Sequence, residues 1–352
     1  MINMNYTEAI NKALYTIMSK NPKSVCVGLG INDPKRIFGT TTGLVEAFGD
    51  RRCIEPPTSE NALTGISFGL ALSEYAVCLI HQRFDFSLLS FDQIINTISK
   101  WSFMFGEDFK TPLLIRLIVG RGWGQGPTHS QSYHSFLASI PGLDVYYPSS
   151  PKTAYLAIIK SMSGTTPSIM IEHRWLHNAQ ESFEIDDLSN INSISARIIR
   201  KGAHFTVFTY GYMLPEAIEA AKYLSAKGIE IELVSTDLIS KIETNILMNS
   251  VLKTKKLLLI EPFYLEGSFI SSIFLKLSKQ LADNSQLHMI STDFMSLPFE
   301  NESTSYFQTK SRYNTWKDIV SLICKTLDAP IDLPESHISH HDVPGDWFKG
   351  PF

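Results

Sequence analysis

Apolar residues recur at helical spacing over 6–19, and the chain then passes into a continuous apolar run, 24–29, ended by Gly28-Leu29-Gly30. That change of period is what an amphipathic helix followed by a buried strand produces. The alternation continues through a turn at Asn32, Asp33 and Pro34, a short helix over 42–48 and a brief strand over 52–54. A helix follows in which Ser59 is placed as the cap and the small residues Ala62, Gly65, Gly69 and Ala71 allow close packing. The pattern then predicts a strand over 77–80, one long helix over 90–105, and a buried strand over 113–119. Strands over 145–147 and 168–172 flank a helix over 151–161. Such regular alternation predicts an α/β chain whose sheet is parallel and covered on both faces.

A polar, acidic stretch, AQESFEIDDLSNINS, interrupts the pattern between His177 and Lys201. Beyond it the alternation restarts, with strands over 205–209, 229–234, 257–260 and 288–290 and a helix over 214–226 that ends near Gly228. The organisation expected is a first domain over 1–185, a linker over 186–200, a smaller α/β domain over 201–329 and an extension over 330–352. The extension carries His337, His340 and His341, which suggest a metal, but no acidic or cysteine partner stands at ligand spacing. A docking tail is the plainer reading.

With 352 residues, 44% of them hydrophobic, the chain is long enough for two cores. A net charge of −4 without a basic block argues against nucleic acid as a partner. Cys26, Cys53, Cys78 and Cys324 form no C-x-x-C pair, so neither a zinc site nor a disulfide framework is expected, and a reducing cytoplasm suits them. No apolar segment reaches membrane-spanning length, and the first residues lack a signal-peptide pattern.

The candidate chemistry gathers after the strand over 113–119, where Gly120, Gly122, Gly124 and Gly126 alternate before Thr128-His129-Ser130-Gln131. Glycines there permit turns closed to other residues and a close approach to a ligand. Because Gln125 stands where a third dinucleotide glycine belongs, no dinucleotide fingerprint is present. The loop brings His129 to a surface. A glutamate such as Glu60 at a helix start serves either the helix dipole or catalysis.

The segments TTGLVEAFGDRR, PPTSENALTGISFGLAL, FDFSLLSFDQIIN, GPTHSQSYHSFLASIPGLDVYYPSSPKTAYLAI, IEHRWLH and HFTVFTYGYMLPEAIEAAKYLSAKGIEIELV occur in order between about 6 and 327. Together they resemble the β subunit of thiamin-diphosphate-dependent 2-oxoacid dehydrogenases of the pyruvate, branched-chain and acetoin types. The resemblance implies a pyrimidine-binding parallel-sheet domain followed by a smaller transketolase C-terminal-like α/β domain.

It also implies roles for three residues. Glu60 matches the carboxyl that hydrogen-bonds the aminopyrimidine ring of thiamin diphosphate and assists its proton transfer. Phe86 matches the aromatic that packs on that ring, the alternative being an ordinary core phenylalanine. His129 matches the histidine that binds the 2-oxoacid carboxylate or moves protons during acyl transfer. His81 and His134 receive no role. The G-D-G motif with a downstream Asn that holds Mg2+ and the diphosphate in this superfamily is absent from the chain. An α-type subunit is therefore implied as partner, in an α₂β₂ heterotetramer that shares the site, with a lipoyl acyltransferase as a further partner.

Some positions depart from the family pattern. Leu29 stands where an acid is usual, Ser235-Thr236-Asp237-Leu238 replaces Asp-Leu-Arg-Thr, Lys241 replaces a Pro, and Gly164 replaces an Asp in the loop that holds a structural potassium. Asp92 remains as a member of a water channel between cofactor sites. These departures suggest a divergent member. The expected reaction is decarboxylation of a 2-oxoacid with acyl transfer to lipoamide. The alternatives are a split transketolase or acyloin-forming enzyme with an aldehyde acceptor, and a non-catalytic interaction subunit.

Overall fold

The computed structural model describes residues 1–106, 110–122, 124–185, 194–241, 243–309 and 312–334. The expected metal or docking role of His337, His340 and His341 lies outside the described residues, as does most of the linker expected over 186–200. The chain divides into two compact units, the first comprising 1–120, 128–194 and 238–241 and the second the remainder.

In the first unit, β1 (Ile2–Asn5) leads into α1 (Tyr6–Lys20), which starts with a reciprocal cap: Asn5 accepts from the Glu8 amide while Glu8 accepts from the Asn5 amide. The chain continues through β2 (Ser24–Gly28), α2 (Leu44–Phe48), β3 (Cys53–Ile54), α3 (Glu60–Leu72), β4 (Ala76–His81) and α4 (Phe84–Ser87). It is completed by α5 (Trp101–Phe105), β5 (Leu113–Val119), α6 (His134–Ala138), β6 (Asp144–Tyr146), α7 (Pro151–Ser163), β7 (Ser168–His173) and β8 (Gln180–Phe183).

Among the described residues six of these strands form one all-parallel sheet in the order β3-β2-β4-β5-β7-β6, while β1 pairs antiparallel with β8. Every residue of β2, β4, β5 and β7 is buried, which requires cover on both faces. The expected α/β class with a parallel sheet is what forms.

A fully buried ion pair lies within that sheet. Arg116 of β5 is fully buried and donates from Nε (2.9 Å) and Nη2 (2.5 Å) to Glu172 on the neighbouring strand β7, while Nη2 also donates to Thr40 Oγ1 at 3.0 Å. His177 Nε2 lies 2.8 Å from the other Glu172 oxygen. Burial by itself would raise the Glu172 carboxyl, but Arg116 and His177 outweigh it and hold the group at about 2.

The second unit contains β9 (Arg197–Arg200), β10 (Phe205–Thr209), α8 (Met213–Ser225), β11 (Ile231–Ser235), α9 (Asn245–Thr254), β12 (Lys256–Ile260), α10 (Phe269–Asp283), β13 (Ser291–Met295), α11 (Tyr306–Thr309) and α12 (Trp316–Thr326). Among the described residues its sheet runs β13-β12-β10-β11-β9, parallel except for β9. Thus Arg197–Arg200, placed in a linker from the sequence, forms an edge strand of this sheet. Residues 121–127 also belong to this unit, in which buried Arg121 stacks over Phe263 at 4.2 Å and faces Glu302 at 3.9 Å.

Two expected elements differ. The strand expected over 288–290 is a helical turn, Leu287–Met289, and the strand itself is β13, STDFM, of which only Met295 is buried. As an edge strand paired to β12 alone, β13 needs no apolar run, so the apolar signal falls beside it. The long helix expected over 90–105 is broken into a π turn at Gln93–Thr97, a tight turn at Ile98–Lys100 and α5. Ser99 O sits 2.0 Å from the place a Cβ on Gly142 would occupy, so that turn is seated directly on the Gly142 backbone.

The buried Arg116–Glu172 pair generates a prediction. A carboxyl held below its usual value near 4.5 contributes its full stability above that pH and loses it as the pH falls toward about 2. Arg116→Met leaves the carboxylate without its cation and is expected to cost about 3–5 kcal/mol in urea unfolding. Glu172→Gln should flatten the acid limb of the stability–pH curve.

Candidate functional site

Strand order reverses at β2. The connection from β2 leads outward to β3, and the next leads back across to β4 on the other side of β2. At such a reversal the carboxyl ends of two neighbouring strands feed connections on opposite faces and leave a crevice between them. Here Leu29 follows β2, Ile80 and His81 end β4, Gln82 and Phe86 come next, and Thr58, Glu60 and Leu63 stand at the start of α3. These eight residues line a cavity of about 250 Å³. That volume lies at the small end for ligand pockets and suits a single ring better than a whole cofactor.

Glu60 is the first residue of α3 and only 8% exposed. Anionic groups are favoured at that helix end. Ser59 occupies the cap position, as expected, but its side chain makes no capping bond. Instead Thr64 Oγ1 donates to Glu60 O at 2.8 Å.

Phe86, on α4, keeps 39% of its surface exposed and is therefore a wall of the cavity, not a core residue. Its ring meets that of His129 edge-on, with centroids 5.6 Å apart. His129 is half-buried, its Nδ1 3.0 Å from Thr128 Oγ1. The His129 turn is tied to α4 by Asp85, whose Oδ1 accepts from Gln131 N at 3.1 Å and Gln131 Nε2 at 2.9 Å. The structure thus brings Glu60, Phe86 and His129 to one place from three separate stretches of chain.

Residues with no sequence-assigned role line or brace the walls. Gln82 Nε2 donates to Leu29 O at 2.6 Å, and Glu55 accepts from the amides of Gly30 at 2.8 Å and Asn32 at 3.0 Å. Gly30 has φ +79°, so the turn favours glycine, and a Cβ there would fall 2.1 Å from Gln82 Nε2 and displace that amide. His81 is buried, and that burial pushes its imidazole down to about 4. The signal that could have found His81 and Gln82 is their position, at the end of a buried parallel strand just ahead of Phe-Asp-Phe.

Other candidates stand elsewhere. Asp92 is exposed and accepts from Asn96 Nδ2 at 2.7 Å. His134 is buried against Tyr147 with Nδ1 2.9 Å from Ser132 Oγ. Lys241 pairs with Asp144 at 3.2 Å, and Asp237 with Arg197 at 2.7 Å. Among the described residues no cluster of His, Cys, Asp and Glu could hold a metal ion, and all four cysteines are buried and free.

The sequence of this chain matches the family model for the transketolase pyrimidine binding domain over residues 3–179 and that for the transketolase C-terminal domain over residues 195–311. The β subunit of the pyruvate dehydrogenase E1 component from Staurastrum punctulatum is 29% identical over 80% of this chain and 86% of its own length. The β subunit of acetoin:2,6-dichlorophenolindophenol oxidoreductase from Cupriavidus necator is 31% identical over 78% of this chain and 82% of its own. The chain belongs to the transketolase-like family of pyruvate dehydrogenase β subunits.

A solved split-gene transketolase, described as an inactive beta4 tetramer, matches 93% of this β-type chain and 99% of its own with a TM-score of 0.71 at 19% identity. At that identity the likeness concerns the fold. The two-domain α/β architecture is that of the family, with the cavity in the unit that matches the pyrimidine binding domain.

Asp85→Ala should release the His129 turn without altering the cavity walls. The Gln131 amide is expected to lose protection in hydrogen exchange by about tenfold or more, as removal of a charge-assisted hydrogen bond implies, while the amides of α3 keep theirs.

Proposed function

We propose that this chain is the β subunit of a thiamin-diphosphate-dependent 2-oxoacid dehydrogenase, and that its cavity receives the aminopyrimidine ring of the cofactor. The observation that carries this is the sharing of one ring-sized cavity by the Glu60 carboxyl and the Phe86 ring, with His129 against the Phe86 edge. The lining fits such a ring: Leu29, Leu63, Ile80 and Phe86 present apolar surface to its faces, and Glu60, His81 and Gln82 offer polar atoms to its edge.

Bound thiamin diphosphate supplies the electron sink for decarboxylation of a 2-oxoacid. Glu60 hydrogen-bonds the ring nitrogen N1′ and holds a proton there, a general acid/base role. Phe86 buries and orients the ring. His129 binds the substrate carboxylate or carries a proton during acyl transfer. Mg2+ and the diphosphate fall to an α-type subunit, in an α₂β₂ assembly that completes the site. A cavity sized for one ring suits a site divided in this way.

Lipoamide on an acyltransferase is the proposed acceptor, and the cytoplasm the proposed location. The 31% identity to the β subunit of an acetoin oxidoreductase supports a second reading, an acyloin-forming enzyme with an aldehyde as acceptor.

The test is coexpression with the α-type partner and assay of a 2-oxoacid panel with and without lipoamide. Decarboxylation coupled to lipoamide is expected, falling about a hundredfold or more in Glu60→Gln. Product formed without lipoamide moves the assignment to the acyloin reading. Undiminished activity in Glu60→Gln overturns the role given to that carboxyl.

A further inference from the structure

The roles assigned to Glu60, Phe86 and His129 leave one imidazole of the cavity unused. His81 ends β4, lines the same cavity and is 4% exposed. Its Nε2 lies 3.4 Å from Thr64 Oγ1. A threonine hydroxyl has a single proton to give, and that of Thr64 goes to Glu60 O at 2.8 Å, one turn earlier in α3. Toward His81 the hydroxyl can only accept. The imidazole proton therefore sits on Nε2, and Nδ1 carries a bare lone pair.

The ring is neutral as well, since burial pushes it down to about 4. No described residue donates to Nδ1. Nor is that atom among the buried polar atoms shut off from both partner and solvent, so it keeps contact with open space. A buried acceptor at a cavity wall without a protein donor is placed to meet a ligand.

The other polar groups of the cavity narrow the choice of ligand. One Gln82 Nε2 hydrogen is taken by Leu29 O at 2.6 Å, and Glu60 addresses one edge of a bound ring. A ring that satisfies both Glu60 and a bare Nδ1 is flat, to lie on Phe86, and bears an N–H besides the nitrogen facing the carboxyl. Aminopyrimidines have that pattern, their remaining donor being the exocyclic amino group.

We propose that His81 is a further ligand-binding residue of this cavity, its Nδ1 accepting a hydrogen bond from the exocyclic amino group of a bound aminopyrimidine. The assignment rests on the reading of the cavity as the cofactor's ring site and adds a determinant that favours amino over alkyl at that ring position. Thr64 is its positioning residue, since it sets the tautomer and touches no ligand.

Two measurements on the full-length chain, assembled with its α-type partner, test this. In protein labelled with nitrogen-15 at histidine, the His81 ring should show the proton on Nε2 and no titration near neutral pH, and Nδ1 should shift when thiamin is added. A proton found on Nδ1 overturns the proposal. Affinities are then compared for thiamin and for its analogue bearing methyl in place of the amino group. His81→Phe, which keeps a buried ring, is expected to weaken thiamin about tenfold, the worth of one hydrogen bond, and to leave the methyl analogue unchanged. His81→Gln, which retains an acceptor, should recover part of the loss.

Equal losses for both ligands in His81→Phe overturn the proposal. Glu60→Gln separates the two levels of inference. If it weakens both ligands while His81→Phe changes neither, the ring site stands and the His81 assignment falls. If the wild-type assembly binds neither ligand, both fall together.

Discussion

A parallel sheet buried on both faces leaves chemistry only at the ends of its strands. Side chains along β2, β4, β5 and β7 are buried in packed cover, so any group that must meet a ligand has to stand at the last residues of a strand or beyond them. The reversal of strand order between β3, β2 and β4 decides which ends are open. Leu29, Glu60, His81 and Phe86 come together there, although they are spread over nearly sixty residues of chain. Arg116, the charged residue placed within β5, is admitted only because Glu172, Thr40 and, through Glu172, His177 answer it.

The cavity owes its shape to hydrogen bonds aimed at the backbone. Gln82 holds the Leu29 carbonyl, Glu55 holds the amides of Gly30 and Asn32, and Asp85 holds that of Gln131. Each ties a loop to a neighbouring element, so the walls are set before a ligand arrives. The acid absent at Leu29 leaves an apolar wall in its place, while Glu55 turns its carboxylate to the loop itself. Specificity inside so small a space then depends on few polar atoms, and the tautomer of His81 is fixed by a single hydroxyl on α3.

Much of the architecture was legible because burial leaves a strong mark on composition. Runs such as LLIRLIV and AVCLI read as buried strands because they are short, apolar and rich in branched residues. Where burial is partial the mark fades. β13 is a half-exposed edge, so STDFM carries little signal and the neighbouring apolar residues misled by a few positions. The break in the helical run over 90–105 accompanies the seating of Ser99 on Gly142, a contact between residues more than forty apart that no local period records. Motif resemblance points to Glu60, Phe86 and His129, whereas Glu55 and Gln82 carry no such mark and His81 receives no role from it.

What the amino-acid sequence determined by itself was the alternation of strand and helix, the parallel sheet that follows from it, and the residue types available for chemistry, since these depend on local period and side-chain identity. The tertiary structure decided which strands became neighbours, and hence where the crevice opened and which polar side chains face one another across it. That choice rests on packing between segments far apart in the chain. Even the protonation of one imidazole depended on it: His81 meets Thr64 only because α3 lies over the end of β4.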